Sequence, residues 1–265
     1  MPSKSLKIAI LSHDITWGDK HENIITVAEL LNRIDCDTDI VVLPELFNTG
    51  FLSTKEQISE MAEDFNGDTI INLQRWAQYF GFAICGSMLA KEGYKYYNRA
   101  FFVEPMGDIT YYDKRHLFSF YKEDLLYEKG TNQSPIIRFR GWNISMQICY
   151  DIKFPVWCRS RDNNIDIILV PANTPEKSIY EWKQLLIARA IENQLFIVGA
   201  NRSGKDDYGK YVNSSFIYDF QGNEISIKSQ ESTLIQYAYF DNIALNRHRI
   251  DFPTCEAADL FEILQ

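Results

Sequence analysis

The sequence predicts an α/β fold in which mixed β-sheets are covered by helices. Short apolar runs of strand length alternate with segments whose apolar residues have helical spacing, which indicates strand–helix crossovers. Other apolar runs are joined by short turns and predict antiparallel hairpins. The chain has 265 residues, of which 46% are hydrophobic, so it can bury a large core. We expect one domain over residues 1–265, because folds of this class often reach this length undivided.

The first half of the chain alternates strands and helices before it forms a hairpin. Helices are predicted where apolar side chains recur at three- and four-residue spacing, and Gly81 is a typical helix end. The predicted elements are, in order, a strand at residues 7–11, a helix at 22–34, a strand at 39–43, a helix at 69–80, a strand at 82–88 and a hairpin at 98–104 and 109–113.

The second half continues the same mixture and ends in a polar tail. Its predicted elements are a hairpin at residues 136–139 and 143–148, a helix after Pro155, a strand at 165–170, a helix at 178–193, a strand at 195–200 and two hairpin-like strands around the turn 221–223. Residues 241–265 form the predicted C-terminal tail. Together these elements favour mixed sheets over a purely parallel, doubly wound sheet.

Composition limits the partners and the compartment. The net charge of −9 and the pI near 5.0 argue against binding to nucleic acid or to an anionic membrane. No apolar run approaches the roughly 18 residues that a membrane span needs. The apolar stretch at residues 8–11 is too short for the core of a signal peptide. We therefore expect a cytoplasmic protein.

The cysteine pattern predicts neither a disulfide framework nor a metal site. The number is odd, the spacings are wide, no CxxC pair occurs, and no two histidines have metal-ligand spacing. We therefore expect no metal and no cofactor, and most of these thiols are predicted to be inert. The cysteines are Cys36, Cys85, Cys149, Cys158 and Cys255.

Three reactive side chains each follow a buried, strand-like run. Glu45 follows residues 39–43, Lys114 follows the strand of the first hairpin, and Cys149 follows the strand of the second. A carboxylate, an ammonium and a thiol are the base, oxyanion stabiliser and nucleophile of acyl transfer through a thioester. The backbone N–H of Tyr150 is a second candidate donor of a hydrogen bond to the oxyanion. The sequence therefore predicts one active site built from these strand ends.

Each of these residues also has a plainer interpretation. Taken alone, Cys149 is more simply a core cysteine, Glu45 a loop carboxylate and Lys114 part of a solvated charge cluster. A Cys149–His116 dyad of the cysteine-protease type is a rival site, although it leaves Glu45 and Lys114 unexplained. A thiol redox protein is another alternative, with Cys158 as the resolving thiol. The occurrence of three motifs together favours the acyl-transfer interpretation.

The motifs around these residues resemble those of the nitrilase superfamily of carbon–nitrogen hydrolases over nearly the whole chain. The matching segments are residues 44–47, 113–118, 149–155, 182–186, 188–190, 192–193 and 201–202. The resemblance implies a four-layer α-β-β-α sandwich and a Glu45–Lys114–Cys149 triad. It also implies a supporting glutamate, best matched by Glu123 with Glu128 as the rival. It further implies a homodimer in which the tail takes part in the contact.

Within that superfamily the chain is most similar to bacterial omega-amidases, which hydrolyse the terminal amide of 2-oxo acids such as 2-oxoglutaramate. Lys153 stands where that group usually has arginine, and Thr174 stands where it usually has tryptophan. Arg202 and Thr174 are predicted to lie at the substrate pocket. Within the enzymes, the alternative is a nitrilase or an N-carbamoyl amidohydrolase that uses the same triad. The alternative outside the enzymes is a catalytically silent interaction module.

Overall fold

A computed structural model describes residues 5–259 and 261–263, in which two β-sheets lie face to face with helices on their outer faces. The strands are β1 (Ser5–Leu11), β2 (Ile40–Val42), β3 (Ala83–Glu92), β4 (Lys95–Val103), β5 (Ile109–Asp113), β6 (Ile137–Phe139), β7 (Trp142–Met146), β8 (Ile167–Ala172), β9 (Phe196–Asn201), β10 (Gly204–Asp206), β11 (Gly209–Tyr211), β12 (Phe216–Tyr218), β13 (Ile227–Lys228) and β14 (Ile235–Asp241). The α-helices are α1 (Lys20–Leu31), α2 (Lys55–Met61), α3 (Asp68–Phe80), α4 (Glu123–Leu126), α5 (Ile179–Asn193) and α6 (Asn242–Asp251).

Both sheets are mixed, as the sequence predicts. The first has the order β13-β14-β1-β2-β3-β4-β5 and the second the order β12-β9-β8-β7-β6. In each sheet the central strands run parallel, β1 with β2 and β3 in the first and β7 with β8 and β9 in the second. Antiparallel strands flank them, including the two predicted hairpins β4–β5 and β6–β7. The parallel strands therefore bring their carboxyl ends to one edge of each sheet.

Alternating side chains on β1 define the layers of the first half of the sandwich. Leu6, Ile8 and Ile10 belong to the apolar core between the two sheets. Ala9 and Leu11 point to the other side and pack with side chains of α1 and α3. This two-residue alternation is expected of a strand that is covered on both faces.

The second sheet repeats this arrangement on the other side of the core. On β8, Ile167 and Leu169 face the first sheet, whereas Ile168 and Val170 pack against α5. Trp142 on β7 is fully buried between the sheets. The layers are thus helix, sheet, sheet and helix, which confirms the predicted four-layer sandwich.

The helix expected after Pro155 is not formed. A 3-10 helix, Cys149–Lys153, comes before that proline, and turns follow it. Asp162 and Asn163 further on both have φ of +52°, in the left-handed region. Because right-handed helices exclude such residues, the polar stretch cannot continue as a helix.

The predicted polar tail begins with a helix rather than with irregular chain. The side chain of Asp241 caps α6 by accepting hydrogen bonds from the N–H groups of Ile243 and Ala244. Leu245 and Arg249 are buried against the rest of the chain. Residues 260, 264 and 265 of the predicted tail lie outside the described residues. The sequence patterns also left out α2, the β10–β11 hairpin and β14.

Candidate active site

The ends of three strands bring Glu45, Lys114 and Cys149 to one cavity. They follow β2, β5 and β7 respectively, and all three line a cavity of about 350 Å³. The N–H of Glu45 donates to the carbonyl oxygen of Ala172 at 3.2 Å, which ties the first sheet to the end of β8 in the second. The site is therefore built across the interface of the two sheets.

Lys114 lies between two buried carboxylates. Its Nζ is 2.7 Å from Oε1 of Glu45 and 2.9 Å from Oε2 of Glu123. Burial alone would lower the pKa of Lys114, but the charges of Glu123 and Glu45 outweigh it and raise that pKa well above its ordinary value. The lysine is therefore a fixed ammonium at neutral pH.

Glu123 reaches the cluster because the chain turns sharply in front of it. Lys122 has φ of +60°, and the N–H of Phe118 donates to Oε2 of Glu123 at 2.6 Å. Burial raises the pKa of Glu123, and Lys114 opposes that rise. The rival Glu128 lies outside the cavity and is 3.9 Å from Lys95. The structure thus brings Glu123, and not Glu128, to Lys114.

Asn98 completes the cluster and was missed from the sequence. Its Nδ2 donates to Oε1 of Glu45 at 2.8 Å and to Oε1 of Glu123 at 3.2 Å. The hydroxyl of Ser87 donates to its Oδ1 at 2.9 Å, so the orientation of the amide is fixed. A fully buried asparagine at the start of an apolar strand run needs such partners, and this is the signal that could have identified it.

Cys149 occupies a sharp turn between β7 and its 3-10 helix. Its φ is +41°, a conformation that costs about 1–3 kcal/mol for a residue with a side chain and occurs most often at functional sites. The N–H of Tyr150 lies in the first turn of the 3-10 helix, where backbone donors have no acceptor within the helix. This N–H is therefore suited to receive an oxyanion next to the thiol.

Burial keeps the thiol of Cys149 protonated at neutral pH. Burial and the negative charge of Glu45 raise its pKa to about 12, against the opposing effects of Lys114 and of hydrogen bonds from Asn173 N–H and Thr174. The hydroxyl of Thr174 lies 3.6 Å from Sγ. Nucleophilic attack consequently requires a base to remove the proton, and Glu45 lines the same cavity.

Aromatic rings and two further ammonium groups form the rest of the cavity wall. Tyr150 and Thr174 line it, as the sequence predicts, and so do Lys153 and Lys177. Lys153 is ion-paired with Glu181. Aromatic side chains on the wall include Phe51, Phe118, Tyr121, Trp182, Tyr208 and Tyr211. The cavity therefore combines an apolar, aromatic wall with the paired charges of Lys153 and Glu181 and with the ammonium of Lys177.

The rival Cys149–His116 dyad is not formed. Nδ1 of His116 lies 2.8 Å from Oδ1 of Asp151, its ring stacks on Phe154 with 3.7 Å between centroids, and it does not line the cavity. Asp151 is fully buried and orders the nucleophile turn by accepting hydrogen bonds from the N–H groups of Ile148 and His116. His116 therefore supports the turn rather than the thiol.

The remaining sulfur atoms offer no second partner for Cys149. Cys158 is buried and its Sγ donates to the carbonyl oxygen of Asp151 at 3.4 Å, while all five cysteines are free thiols. Within residues 5–259 and 261–263, no group of three or more histidine, cysteine, aspartate or glutamate side chains is arranged to hold a metal ion.

Arg202 does not touch the cavity, contrary to the expectation from its sequence position. Its guanidinium is fully buried, lies 2.8 Å from Asp206 and 3.2 Å from Asp14, and donates to the carbonyl oxygen of Ile15. It is absent from the cavity wall. Because its donors are already used within the protein, a direct contact between Arg202 and a substrate has no support in this structure.

Comparison with known proteins identifies the family of this chain. The carbon-nitrogen hydrolase family model matches residues 7–244. The chain is 36% identical to omega-amidase YafV of Escherichia coli strain K12 over 97% of this chain and 98% of that protein, and 30% identical to a 2-oxoglutaramate amidase of Bacillus subtilis strain 168 over 86% and 88%. The solved structure of XC1258 from Xanthomonas campestris, a CN-hydrolase superfamily protein with an arsenic adduct in its active site, superposes with a TM-score of 0.91 at 35% identity, covering 98% of this chain and 100% of that one. The chain belongs to the carbon-nitrogen hydrolase family.

Proposed function

We propose that the protein is an omega-amidase that hydrolyses the terminal amide of a small 2-oxo acid, such as 2-oxoglutaramate, and releases ammonia. The observation that carries this proposal is the convergence of Glu45, Lys114 and Cys149 on one cavity. The near-full-length similarity to an omega-amidase and to a 2-oxoglutaramate amidase supports this substrate class.

Acylation begins with removal of the thiol proton, because the thiol of Cys149 is protonated at neutral pH. Glu45 removes the proton from Cys149, whose raised pKa keeps it protonated until substrate is bound, and Sγ attacks the amide carbon. The tetrahedral oxyanion is held by the ammonium of Lys114 and by the N–H of Tyr150. Glu45 accepts hydrogen bonds from Lys114 and Asn98 at Oε1, and within the described ranges none is donated to Oε2. This second oxygen is therefore available for proton transfer.

Collapse of the tetrahedral intermediate completes acylation, and deacylation then uses the same groups. Glu45 gives its proton to the departing nitrogen, the carbon–nitrogen bond breaks, and ammonia leaves a thioester on Cys149. Glu45 then takes a proton from water, which attacks the thioester carbonyl. The new oxyanion again rests on Lys114 and Tyr150, and its collapse releases the carboxylic acid and returns the proton to the thiol.

The charges of the cavity fit a substrate with a carboxylate remote from the amide. Lys153 and Lys177 both line the cavity, and the charge of Lys153 is paired with Glu181 on the same wall. Nζ of Lys177 lies 5.7 Å from the centroid of the Tyr121 ring, and in the described part of the chain it has no carboxylate partner. An ammonium in this position can pair with an incoming carboxylate and set the distance between that group and Sγ.

A substrate panel tests the proposal. Ammonia release should give the highest kcat/KM for 2-oxoglutaramate, a much lower value for its methyl ester, and low values for a simple nitrile and an N-carbamoyl amino acid. Loss on esterification is expected because the carboxylate charge is removed while the amide is unchanged. A clear preference for the nitrile or the carbamoyl compound would replace the omega-amidase assignment with one of those activities on the same triad.

Assembly and location complete the proposal. The resemblance to the nitrilase superfamily implies a homodimer, which light scattering coupled to size-exclusion chromatography would test against a mass of 30.9 kDa for one chain.

Among the helices of residues 5–259 and 261–263, none is long and apolar enough to cross a membrane. A cytoplasmic location remains the prediction from composition, and fractionation of cells that express the protein would test it.

A further inference from the structure

We propose that the β10–β11 hairpin is the wall of the cavity that sets the length of the acyl group, and that Arg202 is the positioning residue that holds this wall. The inference rests on the proposed amidase function, because it concerns which amides reach Cys149. Two hairpin residues, Tyr208 and Tyr211, line the cavity, whereas Arg202 lies behind them.

The base of the hairpin is fixed to the end of β1. The N–H of Ser203 donates to the carbonyl oxygen of His13 at 3.0 Å, and Asp14 forms an isolated bridge with Ser203. Gly204 has φ of +94°, and a Cβ there would lie 1.7 Å from Oδ1 of Asp14. A side chain at this φ would be strained and would also displace the carboxylate of Asp14, so glycine is favoured where the chain enters the hairpin.

A buried ion pair orders the rest of the hairpin. Nη1 of Arg202 lies 2.8 Å from Oδ2 of Asp206, and both side chains are almost completely buried. The other oxygen of Asp206 accepts hydrogen bonds from Tyr208 N–H at 2.9 Å, from Gly209 N–H at 3.2 Å and from the hydroxyl of Tyr211 at 3.0 Å. One carboxylate thus fixes the turn and both tyrosines, and Arg202 fixes that carboxylate.

The tyrosines connect the hairpin to the catalytic segment. The ring of Tyr208 lies 4.5 Å from that of Tyr121 and 5.4 Å from that of Phe51, measured between centroids. Tyr121 precedes Glu123 by two residues, so this contact joins the wall to the segment that carries the supporting glutamate. The guanidinium of Arg202 lies 4.4 Å from the centroid of the Tyr211 ring and supports it from behind. The wall is therefore held at its base, at its turn and behind the Tyr211 ring.

An aromatic wall that is held in this way should select substrates by length. In a preformed apolar pocket, one methylene more or less changes kcat/KM by about 10- to 200-fold. We therefore expect the wild-type enzyme to favour one length sharply in a series of straight-chain dicarboxylic monoamides from succinamate to pimelamate. Loosening the wall should broaden this profile while acyl transfer at Cys149 continues.

The experiment compares three variants with the wild type across that series. Tyr208→Ala removes part of the wall, and Arg202→Met removes the cation that holds Asp206. Arg249→Met is the matched control, because Arg249 is also buried and paired with a carboxylate, Asp166, at 2.8 Å, but does not line the cavity. Thermal unfolding of each variant is measured alongside kcat and KM, so that lost stability is separated from changed selectivity.

The inference predicts that Tyr208→Ala and Arg202→Met raise the ratio of kcat/KM for the longest monoamide to that for the preferred one by about tenfold, with Arg249→Met keeping the wild-type ratio. An unchanged profile in Tyr208→Ala would overturn it, even if Arg202→Met failed to fold. An equal change in Arg249→Met would also overturn it, since general destabilisation would then explain the effect. A wild-type enzyme without amidase activity would instead refute the proposed function.

Discussion

Strand β8 has a buried charge cluster at each end, and the two clusters differ in their balance of positive and negative groups. At its start, Asp166 pairs with Arg249. At its end, Thr174 lies beside Cys149 and the backbone contacts Glu45, which shares Lys114 with Glu123. The length of β8 thus separates the two buried ionic groups.

The cluster at the start of β8 is balanced and closed. Arg249 gives one hydrogen bond to Asp166, one to the carbonyl oxygen of Gln194 at 3.0 Å and one to that of Ile165 at 2.7 Å. One cation faces one carboxylate, and the remaining donors are used by backbone oxygens. Such a group holds α6 against the second sheet and has nothing left to offer a ligand.

The cluster at the end of β8 is unbalanced and open. One ammonium, Lys114, serves two carboxylates, and the group opens into a cavity that also contains a thiol with a raised pKa. Burying excess negative charge costs stability, and proteins retain such arrangements mainly at functional sites. The comparison indicates that imbalance and access, rather than burial alone, distinguish the catalytic cluster from the structural one.

Removal of the nucleophile should have the largest effect. Cys149→Ala and Cys149→Ser should abolish ammonia release, because no other thiol in the described part of the chain lines the cavity. Ammonia release is measured beside the far-ultraviolet circular dichroism and thermal midpoint of each variant. A folded variant that kept more than a few per cent of activity would remove Cys149 from the mechanism.

Glu45→Gln should lower kcat by about 10²–10⁴-fold, because the amide preserves the shape of the site but cannot transfer the proton. His116→Ala is the contrast, since His116 contacts Asp151 and not the cavity, and its loss of activity should be much smaller. Lys114→Ala should also be severe. If His116→Ala were as damaging as Glu45→Gln in a folded protein, a cysteine–histidine dyad would become the better explanation.

The two candidate glutamates offer a sharper test of the unbalanced cluster. Glu123→Gln removes a charge that holds Lys114 in place, and we expect kcat to fall by at least about tenfold, the scale of one lost charged hydrogen bond. Glu128→Gln changes only an exposed pair with Lys95 and should stay close to wild type. Steady-state kinetics of the two variants measures this difference. An equal fall of kcat in both would show that the supporting role does not belong to Glu123 alone.

Arg249→Met should lower stability without changing the chemistry. Removing one partner of a buried ion pair costs about 3–5 kcal/mol, because Asp166 then remains buried and unpaired. Denaturant unfolding measures this loss, and kcat is compared per folded molecule at a temperature where the variant is folded. A fall in kcat in the folded variant would contradict this, because it would show that the cluster at the start of β8 affects catalysis at the other end.

The sequence predicted the strand-end residues because their signal is local. Glu45, Lys114 and Cys149 each interrupt an apolar run, and a polar break at a strand end is visible without knowing the fold. Asn98 was missed because its importance depends on Glu45 and Glu123, which are far away in sequence. The layered core could be anticipated for the same reason as the strand ends, since alternation and helical spacing are local patterns.

Arg202 is a residue whose surroundings could not be predicted from the sequence. Its charge is visible in the sequence, but whether that charge faces a cavity or a buried carboxylate depends on how the next residues turn. The β10–β11 hairpin that provides Asp206 is short, polar and rich in glycine, so it carries none of the apolar periodicity that identifies a strand. The guanidinium was therefore expected in the pocket, although the fold places it behind the pocket wall.

The last expected effect is on the pH dependence of stability rather than on catalysis, and it concerns His13, a buried histidine that the fold keeps neutral. Its Nε2 lies 3.0 Å from the carbonyl oxygen of Phe47, and its Nδ1 is buried without a partner among the described residues. Burial, together with the nearby charge of Arg202, lowers its pKa from 6.5 to about 4. Between these pH values the unfolded chain therefore binds a proton at His13 that the folded chain does not bind. The free energy of unfolding should fall by about 3 kcal/mol in total as the pH decreases from about 6.5 to about 4. His13→Gln should remove this part of the pH dependence of unfolding, whereas the exposed His21→Gln should leave it intact; the same acid sensitivity in both variants would assign it to other groups.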